Sequence, residues 1–172
     1  MKKKKIYVYA ISKNEEKFAK RWYESVKSAD GIYVLDTGST DNTVKILKEL
    51  GAKVTTKEIK PWRFDVARNE SLKLVPLDAD ICVCIDIDEV ISSNWREKLE
   101  EILENEKVNH VRYIYNWSHD ENKNPKVSFY YEKIHARKNF KWINPVHEVL
   151  KYTGSNEVWA TTNDIIVDHY PD

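Results

Sequence analysis

The sequence is poor in glycine, cysteine and long apolar runs, and its charges cancel. Only four of its 172 residues are glycine, too few for the glycine-rich loops that cradle phosphate in several nucleotide-binding folds. No apolar run approaches the ~20 residues that span a bilayer, and the lysines at positions 2–5 do not lead into the apolar stretch of a signal peptide. We therefore expect a cytoplasmic protein without a transmembrane segment.

The charge balance and the cysteines narrow the partners further. Lysine and arginine together number 28, and aspartate and glutamate together also number 28. The chain therefore has no net charge that would attract nucleic acid or membrane. The lysine run at 2–5 could touch anionic lipid, but a solvated start to the first strand is the favoured interpretation. The only cysteines, Cys82 and Cys84, point to one face of an apolar strand. This spacing suits neither a disulfide nor a zinc site and predicts core residues in a reducing compartment.

The first 108 residues alternate β-forming runs with amphipathic helical patterns. The runs lie at 6–11, 32–35, 53–56 and 81–85. The segment after the first run carries an apolar stripe at helical spacing, formed by Phe18, Ala19, Trp22, Tyr23 and Val26. Such alternation predicts right-handed crossovers and a parallel sheet covered by helices.

Local signals predict where the helices begin and end. Ser12 and Glu15 have the Ser-x-x-Glu spacing of a capping box, in which each side chain satisfies a free backbone N–H. Gly51 is a natural left-handed terminator, and Ser92 or Ser93 is expected to cap a further helix.

After about residue 109 the pattern changes to longer, aromatic strands at 110–117 and 126–133, and the apolar run Ile165-Ile166-Val167 precedes Asp168-His169-Tyr170. The aromatic side chains there fit either a core, a sugar-stacking surface or a dimer interface. We predict one α/β domain over residues 1–172, with a Rossmann-like, mixed and mainly parallel sheet flanked by helices.

Polar residues follow three of the predicted strands. Ser12 to Glu15 end the first strand, the segment beginning at Asp36 ends the second, and Asp86, Asp88 and their neighbours end the strand at 81–85. In open parallel sheets, ligands bind at these carboxyl ends. We therefore expect the three polar segments to outline one pocket.

Asp86-Ile87-Asp88 carries the strongest chemical signal. Two carboxylates two residues apart, directly after a buried strand, can hold a hard divalent cation that keeps open positions for phosphate oxygens. Such a cation neutralises the charge that develops on a departing diphosphate. Asp36 either accepts hydrogen bonds from a base or ribose, or caps the turn at 38–41. Glu15 fits a capping role better than a catalytic one.

Four segments in order resemble family 2 glycosyltransferases. They are Ile-Ser-Lys-Asn-Glu-Glu from residue 11, Val-Leu-Asp-Thr-Gly-Ser-Thr-Asp-Asn-Thr from 34, Trp-Arg-Phe-Asp-Val-Ala-Arg-Asn-Glu from 62, and Asp-Ile-Asp-Glu from 86. The resemblance covers about residues 4 to 105 and is patchy afterwards. It implies a GT-A fold and inverting transfer from a nucleotide-diphosphate sugar, with the closest likeness to bacterial surface-glycan and peptide-modifying members.

The resemblance also implies roles for single residues. Ala10 and Ser12 would line the nucleobase, with Glu15 beside them. Asp36 would contact uracil or ribose, and Asp65 would shape the loop that brings Arg68 to the base or diphosphate. Asp86 and Ile87 would lie beside the ribose. The metal, Mn²⁺ or Mg²⁺, would be held by Asp88 with Asp86 and His169. Residues 1–108 would form the nucleotide-sugar half and 109–172 the acceptor-side half.

The segment 142–148 resembles the family segment that supplies the catalytic base, which makes Glu148 the candidate, with Asp168 and Asp120 as alternatives. Relatives often carry glycine before the His-Glu pair, whereas this chain has Asn144 and Pro145. The acceptor-side loop is therefore expected to have a different shape.

The predicted function is metal-assisted transfer of a hexose or N-acetylhexosamine, from a donor most consistent with a UDP-sugar. The acceptor is a glycan, a lipid-linked molecule or a peptide, and a homodimer is possible. The alternative is an inactive nucleotide-sugar-binding or scaffold protein of the same fold. A sugar nucleotidyltransferase is disfavoured by the missing glycine-rich loop.

Overall fold

The computed structural model describes residues 2–171. Four helices and ten strands follow one another in the order β1 (Ile6–Ser12), α1 (Glu16–Val26), β2 (Gly31–Asp36), α2 (Thr43–Leu50), β3 (Lys53–Thr56), α3 (Phe64–Lys73), β4 (Ile81–Cys84), β5 (Glu89–Ile91), α4 (Trp95–Ile102), β6 (His110–His119), β7 (Pro125–Ala136), β8 (Phe140–Ile143), β9 (Val149–Tyr152) and β10 (Trp159–His169). The predicted strands and helices of the first half are all present within a few residues.

Eight strands form one sheet in the order β3-β2-β1-β4-β7-β6-β10-β5, and β8 pairs with β9 as a separate hairpin. Within the described residues, four of the seven pairings in the large sheet are parallel and three are antiparallel. The predicted mixed, mainly parallel sheet is thus confirmed. Three of the parallel pairings join β3, β2, β1 and β4, which form the βαβ region, and the fourth joins β10 to β6. The antiparallel pairings join β4 to β7, β7 to β6 and β10 to β5.

The core lies where the helices pack on the parallel strands. Trp22 and Trp95 are fully buried, and each indole N–H donates to a backbone carbonyl, of Ile85 and Ser25 respectively, at 3.0 Å. Buried tryptophans find such partners because an unpaired N–H in the core is costly. The bond to Ile85 ties α1 to the end of β4, directly before Asp86.

The capping box predicted from Ser12 and Glu15 is wrong. The Ser12 hydroxyl donates instead to the Asp36 carboxylate, at 2.9 Å. The N–H of Glu15 donates to the Thr43 hydroxyl at 2.8 Å, and the side chain of Glu16 accepts from the N–H of Asn42 at 2.8 Å. The starts of α1 and α2 therefore satisfy each other's free N–H groups, a tertiary solution that a local motif does not reveal.

The predicted serine cap of α4 is also wrong, whereas the glycine terminator is confirmed. Asn94 precedes α4, and the Ser92 hydroxyl accepts from the N–H of Ile166 in β10 at 3.1 Å. Gly51 has φ 119° and its N–H reaches the carbonyls of Leu47 and Lys48. A left-handed residue of this kind ends α2 as expected.

The lysines of the N-terminus face the acidic helix α4. Lys2, Lys3 and Lys4 line one surface depression together with glutamates of α4 and the following turn, and Lys4 lies 3.9 Å from Glu106. In residues 2–171, no helix is long and apolar enough to cross a membrane.

Candidate active site

A cleft of about 660 Å³ opens at the carboxyl ends of the parallel strands, within the size range of small-molecule sites. Its lining residues are Ile11, Ser12, Lys13, Glu15, Thr37, Glu58, Ile59, Lys60, Trp62, Phe64, Arg68, Asp86 and Asp88. The ends of β1, β2 and β4 therefore converge as the sequence predicts. The wall formed by residues 58–64, which includes the exposed Trp62, was not predicted as part of the pocket.

Arg68 is the hub of the cleft. It is 5% exposed, and its guanidinium forms a two-point pair with Asp86 through Nη1 and Nη2. The Nε–H of Arg68 donates to Glu148 at 3.2 Å, and the ring of Trp142 lies 5.4 Å away. A planar guanidinium suits such a bidentate contact, whereas lysine does not. Arg68 is thus a buried link between the Asp-x-Asp segment and the predicted base, rather than a surface arginine.

A second buried cation, Lys133 on β7, lies on the other side of Asp86. Its ammonium is 3.1 Å from Glu89 and 3.5 Å from Asp86. Burial alone would raise the pKa of Asp86, but the charges of Arg68 and Lys133 outweigh burial and hold that pKa well below its usual range. The Asp86 carboxylate is therefore an ionised anchor between two cations.

Lys133 was not predicted as a site residue from the sequence. Lysine is seldom buried in proteins, and the aromatic pattern of β7 does not distinguish Lys133 from Lys126, which is exposed. Strand alternation gives no signal either, because the register of β7 shifts between Tyr131 and Ile134. Tyr131 therefore packs on the same face of the sheet as Ile134, while His135 contacts Tyr9 on the other face.

Asp88 and His169 form the second pair of the site. Nε2 of His169 lies 3.1 Å from Oδ2 of Asp88, and its Nδ1 lies 3.1 Å from the Trp117 carbonyl. A carbonyl only accepts, so Nδ1–H donates to Trp117 and Nε2 is the nitrogen that faces the Asp88 carboxylate. Nε2 of His169 and Oδ2 of Asp88 both carry lone pairs, so a proton or a cation has to lie between them at this distance.

The Asp88–His169 pair fits a divalent cation. Adjacent ligands of an octahedral ion with bonds of 2.0–2.1 Å lie about 3.0 Å apart, close to the observed separation. A carbonyl on the second nitrogen is also the usual support of a metal-bound histidine. In residues 2–171, however, no group of three or more His, Cys, Asp or Glu side chains is arranged to hold a metal. Asp86 does not complete a three-ligand set, because Arg68 and Lys133 occupy its carboxylate.

Glu15 lines the cleft, although its predicted role as a cap is wrong. Burial first, and then the charges of Asp88 and Asp86, raise its pKa to about 8. Glu15 is therefore mostly protonated at neutral pH, and a cation bound beside Asp88 would lower its pKa.

Four other predicted residues serve the structure around the cleft. Ala10 and Ile87 are fully buried in the core, so the expectation that they contact nucleotide is corrected to packing, and the neighbouring Ile11 lines the cleft instead. Asp36 accepts from the Ser12 hydroxyl and from the N–H groups of residues 38 and 39, which favours the turn interpretation. Asp65 pairs with Arg63 at 2.8 Å at the start of α3.

Of the three candidate bases, only Glu148 contacts a residue that lines the cleft. Oδ1 of Asp168 lies 2.8 Å from both Asn116 Nδ2 and His119 Nε2. Asp120 accepts from the N–H groups of Asn122 and Asn124 in the turn between β6 and β7. Asp168 and Asp120 therefore hold neighbouring strands and a turn in place through these hydrogen bonds.

The loop that carries Glu148 is fixed to α3. The Asn69 side chain donates to the Trp142 carbonyl at 2.9 Å and accepts from the Trp142 N–H at 2.8 Å. The Phe64 N–H donates to the Pro145 carbonyl at 3.0 Å. Asn144 and His147 both have positive φ, the left-handed conformation that glycine adopts most readily.

The family model for glycosyl transferase family 2 matches residues 7–152. An uncharacterized glycosyltransferase of Rickettsia typhi is 39% identical over 101 residues, which are 58% of this chain and 33% of that protein. The glucosyl-3-phosphoglycerate synthase of Petrotoga mobilis is 46% identical over 63 residues, 34% of this chain and 19% of that protein. The chain spans about a third of the length of the Rickettsia relatives it matches.

Two solved structures share the fold. TarS of S. aureus, crystallised with UDP, superposes with a TM-score of 0.58 at 19% identity, over 72% of this chain and 38% of that one. The glucosyl-3-phosphoglycerate synthase of Mycobacterium tuberculosis, crystallised with Mn²⁺ and UDP-glucose, has a TM-score of 0.55 at 25% identity, over 65% of this chain and 44% of that one. These likenesses confirm the predicted GT-A fold.

Proposed function

Since the chain belongs to glycosyl transferase family 2, we propose that it transfers a hexosyl or N-acetylhexosaminyl unit from a UDP-sugar to an acceptor hydroxyl, with inversion. The observation that carries the proposal is the Arg68 hub, which joins the cleft carboxylate Asp86 to Glu148. Support for the donor comes from the synthase of Mycobacterium tuberculosis, crystallised with UDP-glucose and Mn²⁺ and with UDP and Mg²⁺.

We assign the two ends of the cleft to different parts of the donor. Ser12 and Thr37, at the ends of β1 and β2, line the part assigned to the nucleoside. Asp88 and His169 would hold Mn²⁺ or Mg²⁺, which supplies the positive charge that stabilises the departing diphosphate. Asp86 is assigned to anchor Arg68 rather than to bind the metal.

Glu148 is assigned as the general base. Its carboxylate removes the proton of the acceptor hydroxyl while that oxygen attacks the anomeric carbon from the face opposite the diphosphate, so the configuration inverts. Arg68 fixes the position of this carboxylate through the 3.2 Å contact. Holding the base and the reacting atoms in place supplies much of the acceleration in such a reaction.

The acceptor belongs to glycan, lipid-linked or peptide chemistry in this proposal, and a homodimer would be compatible with it. We also assign the protein to the cytoplasm. Support comes from Cys82 and Cys84, which are both free and buried, as in a protein that keeps its thiols reduced.

Donor turnover tests the proposal without a known acceptor, because water can take the acceptor's place slowly. The protein would be incubated with UDP-glucose or UDP-N-acetylglucosamine and Mn²⁺. UDP release would be followed by a coupled assay, and ¹H NMR would identify the first-formed anomer. We expect release of the β-anomer. Release of the α-anomer would contradict inversion, and UDP binding without any release would favour the inactive scaffold.

A matched pair of variants tests the base. Glu148→Gln keeps the shape of the side chain but cannot take a proton, so turnover should fall at least about 100-fold. Glu157→Gln is the control, since Glu157 pairs with His110 in the second half of the chain. Equal losses in both variants, or none in Glu148→Gln, would remove Glu148 from the base role.

A further inference from the structure

An aromatic cluster borders the site on the side of the antiparallel strands. We define the aromatic platform as Tyr115 on β6 with Phe129 and Tyr131 on β7. Its ring centroids lie 5.0 Å apart for Tyr115–Tyr131, 5.3 Å for Tyr115–Phe129 and 5.8 Å for Phe129–Tyr131. Tyr115 pairs with Phe129 across the strands, so the three rings share one face of the sheet. Tyr115 is buried beneath, whereas Phe129 is 44% exposed.

The platform is continuous with the reacting end of the cleft. The Tyr115 ring lies 6.1 Å from the His169 ring, and Lys133, which contacts Asp86, lies 5.1 Å from the Tyr131 ring. A molecule seated on the platform therefore lies beside His169 of the assigned metal pair and near Asp86, which Arg68 links to the assigned base Glu148.

The charges around the platform favour a neutral ligand. Its nearest cations, Lys133 and Arg68, are each ion-paired with carboxylates. Neither offers a spare charge to an anionic acceptor, since a phosphate would have to displace a buried carboxylate. A pyranose ring, by contrast, presents C–H groups to the negative face of an aromatic ring and directs its hydroxyls outward.

We propose that Phe129 and Tyr131, backed by Tyr115, form the acceptor subsite and take the ring of a neutral sugar. This rests on the proposed function and deepens it. It assigns the acceptor to carbohydrate chemistry and the platform to a positioning role, which places an acceptor hydroxyl next to Glu148. The sugar ring would cover Phe129, which is otherwise exposed on β7.

Adjacent residues on β7 provide a matched control. Tyr130 follows Phe129 and is 52% exposed, but it lies on the opposite face, where its hydroxyl donates to Asn163 at 2.6 Å. Phe129→Ala therefore removes a platform ring, and Tyr130→Ala removes an equally exposed ring elsewhere on the same strand. Tyr131→Phe keeps the ring and removes only the hydroxyl.

The test is ligand-observed saturation-transfer NMR, with cellobiose, methyl N-acetyl-β-glucosaminide and 3-phosphoglycerate as probes. Each is titrated with and without UDP and Mn²⁺. We expect the ring C–H protons of a sugar probe to receive saturation. Phe129→Ala should weaken sugar binding about tenfold, equivalent to about 1.4 kcal/mol. Tyr130→Ala should bind sugars within about threefold of the wild type, Tyr131→Phe should retain more sugar affinity than Phe129→Ala does, and UDP affinity should be the same in all variants.

Several results would overturn the platform. These are equal sugar binding by Phe129→Ala and the wild type, binding of 3-phosphoglycerate in place of sugars, and no sugar binding by a protein that binds UDP. Sedimentation showing a dimer that Phe129→Ala dissociates would assign the rings to a second copy instead. If the protein binds sugars but not UDP, the proposed donor site is wrong. The sugar titration without nucleotide tests the platform in that case too.

Discussion

Replacing Lys133 by methionine removes a buried cation from between two buried carboxylates. Glu89 is 1% exposed and accepts both from the Lys133 ammonium, at 3.1 Å, and from the Asp86 N–H, at 2.6 Å. Methionine fills a similar volume, so the change is mainly electrostatic. Removing one partner of a buried ion pair costs about 3–5 kcal/mol. We expect Lys133→Met to lose this amount at pH 8.

The loss should depend on pH because Glu89 can take up a proton. Burial raises the pKa of Glu89, and Lys133 is the main influence that opposes this. Without Lys133 the pKa of Glu89 rises further, so Glu89 in the folded variant takes up a proton as the pH falls. Its deficit relative to the wild type should shrink on acidification by up to about 1.4 kcal/mol per pH unit.

Urea denaturation at pH 5 and pH 8 measures both effects. The double variant Lys133→Met, Glu89→Gln removes the uncompensated charge, and should recover about 2 kcal/mol of the loss at pH 8. Lys126→Met is the matched control on the same strand, and as an exposed substitution it should stay within about 0.5 kcal/mol of the wild type. A deficit below about 1 kcal/mol, or one that grows at pH 5, would refute the buried charge network.

Three further predictions concern other parts of the site and core. His169→Ala should weaken Mn²⁺ affinity at least about tenfold, as loss of a ligand does, while Asp168→Asn should not; an unaltered metal titration would make His169 a structural residue. Arg68→Lys cannot form the two-point pair with Asp86, so turnover should fall more than UDP affinity does; a loss confined to UDP affinity would contradict this. Burial lowers the pKa of His135 to about 3, below the ~6.5 expected on unfolding. The unfolded chain thus binds the extra proton between these values, and wild-type stability should fall on acidification below pH 6.5 by up to about 1.4 kcal/mol per unit. In His135→Gln the slope of unfolding free energy against pH should be smaller by the contribution of one proton. An unchanged slope would rule out a neutral buried histidine.

The parallel half of the fold could be predicted because its signals are local. Strands β1, β2 and β4 are apolar runs, the helices carry apolar stripes, and Gly51 ends α2 through its own backbone freedom. The convergence of Ser12, Asp36 and Asp86 followed from a rule about strand ends. These features need no knowledge of which distant segments meet.

What the sequence did not reveal depends on contacts between distant segments. Ser12 bonds to Asp36 rather than capping α1, because β1 and β2 lie side by side. Lys133 is buried only because β7 pairs with β4, which brings its ammonium to Asp86. The strands β5, β8 and β9 have three or four residues each, and β8 and β9 pair only with each other, apart from the large sheet.

Calorimetric titration of UDP, GDP and dTDP, each with Mn²⁺ and with chelator, tests the central claim most directly. We expect tight binding of UDP only when the metal is present, and loss of that metal dependence in Asp88→Ala, with Asp168→Asn as the control that retains it. Binding of no nucleotide under either condition, or UDP binding in which Asp88→Ala keeps the full metal dependence, would contradict the account.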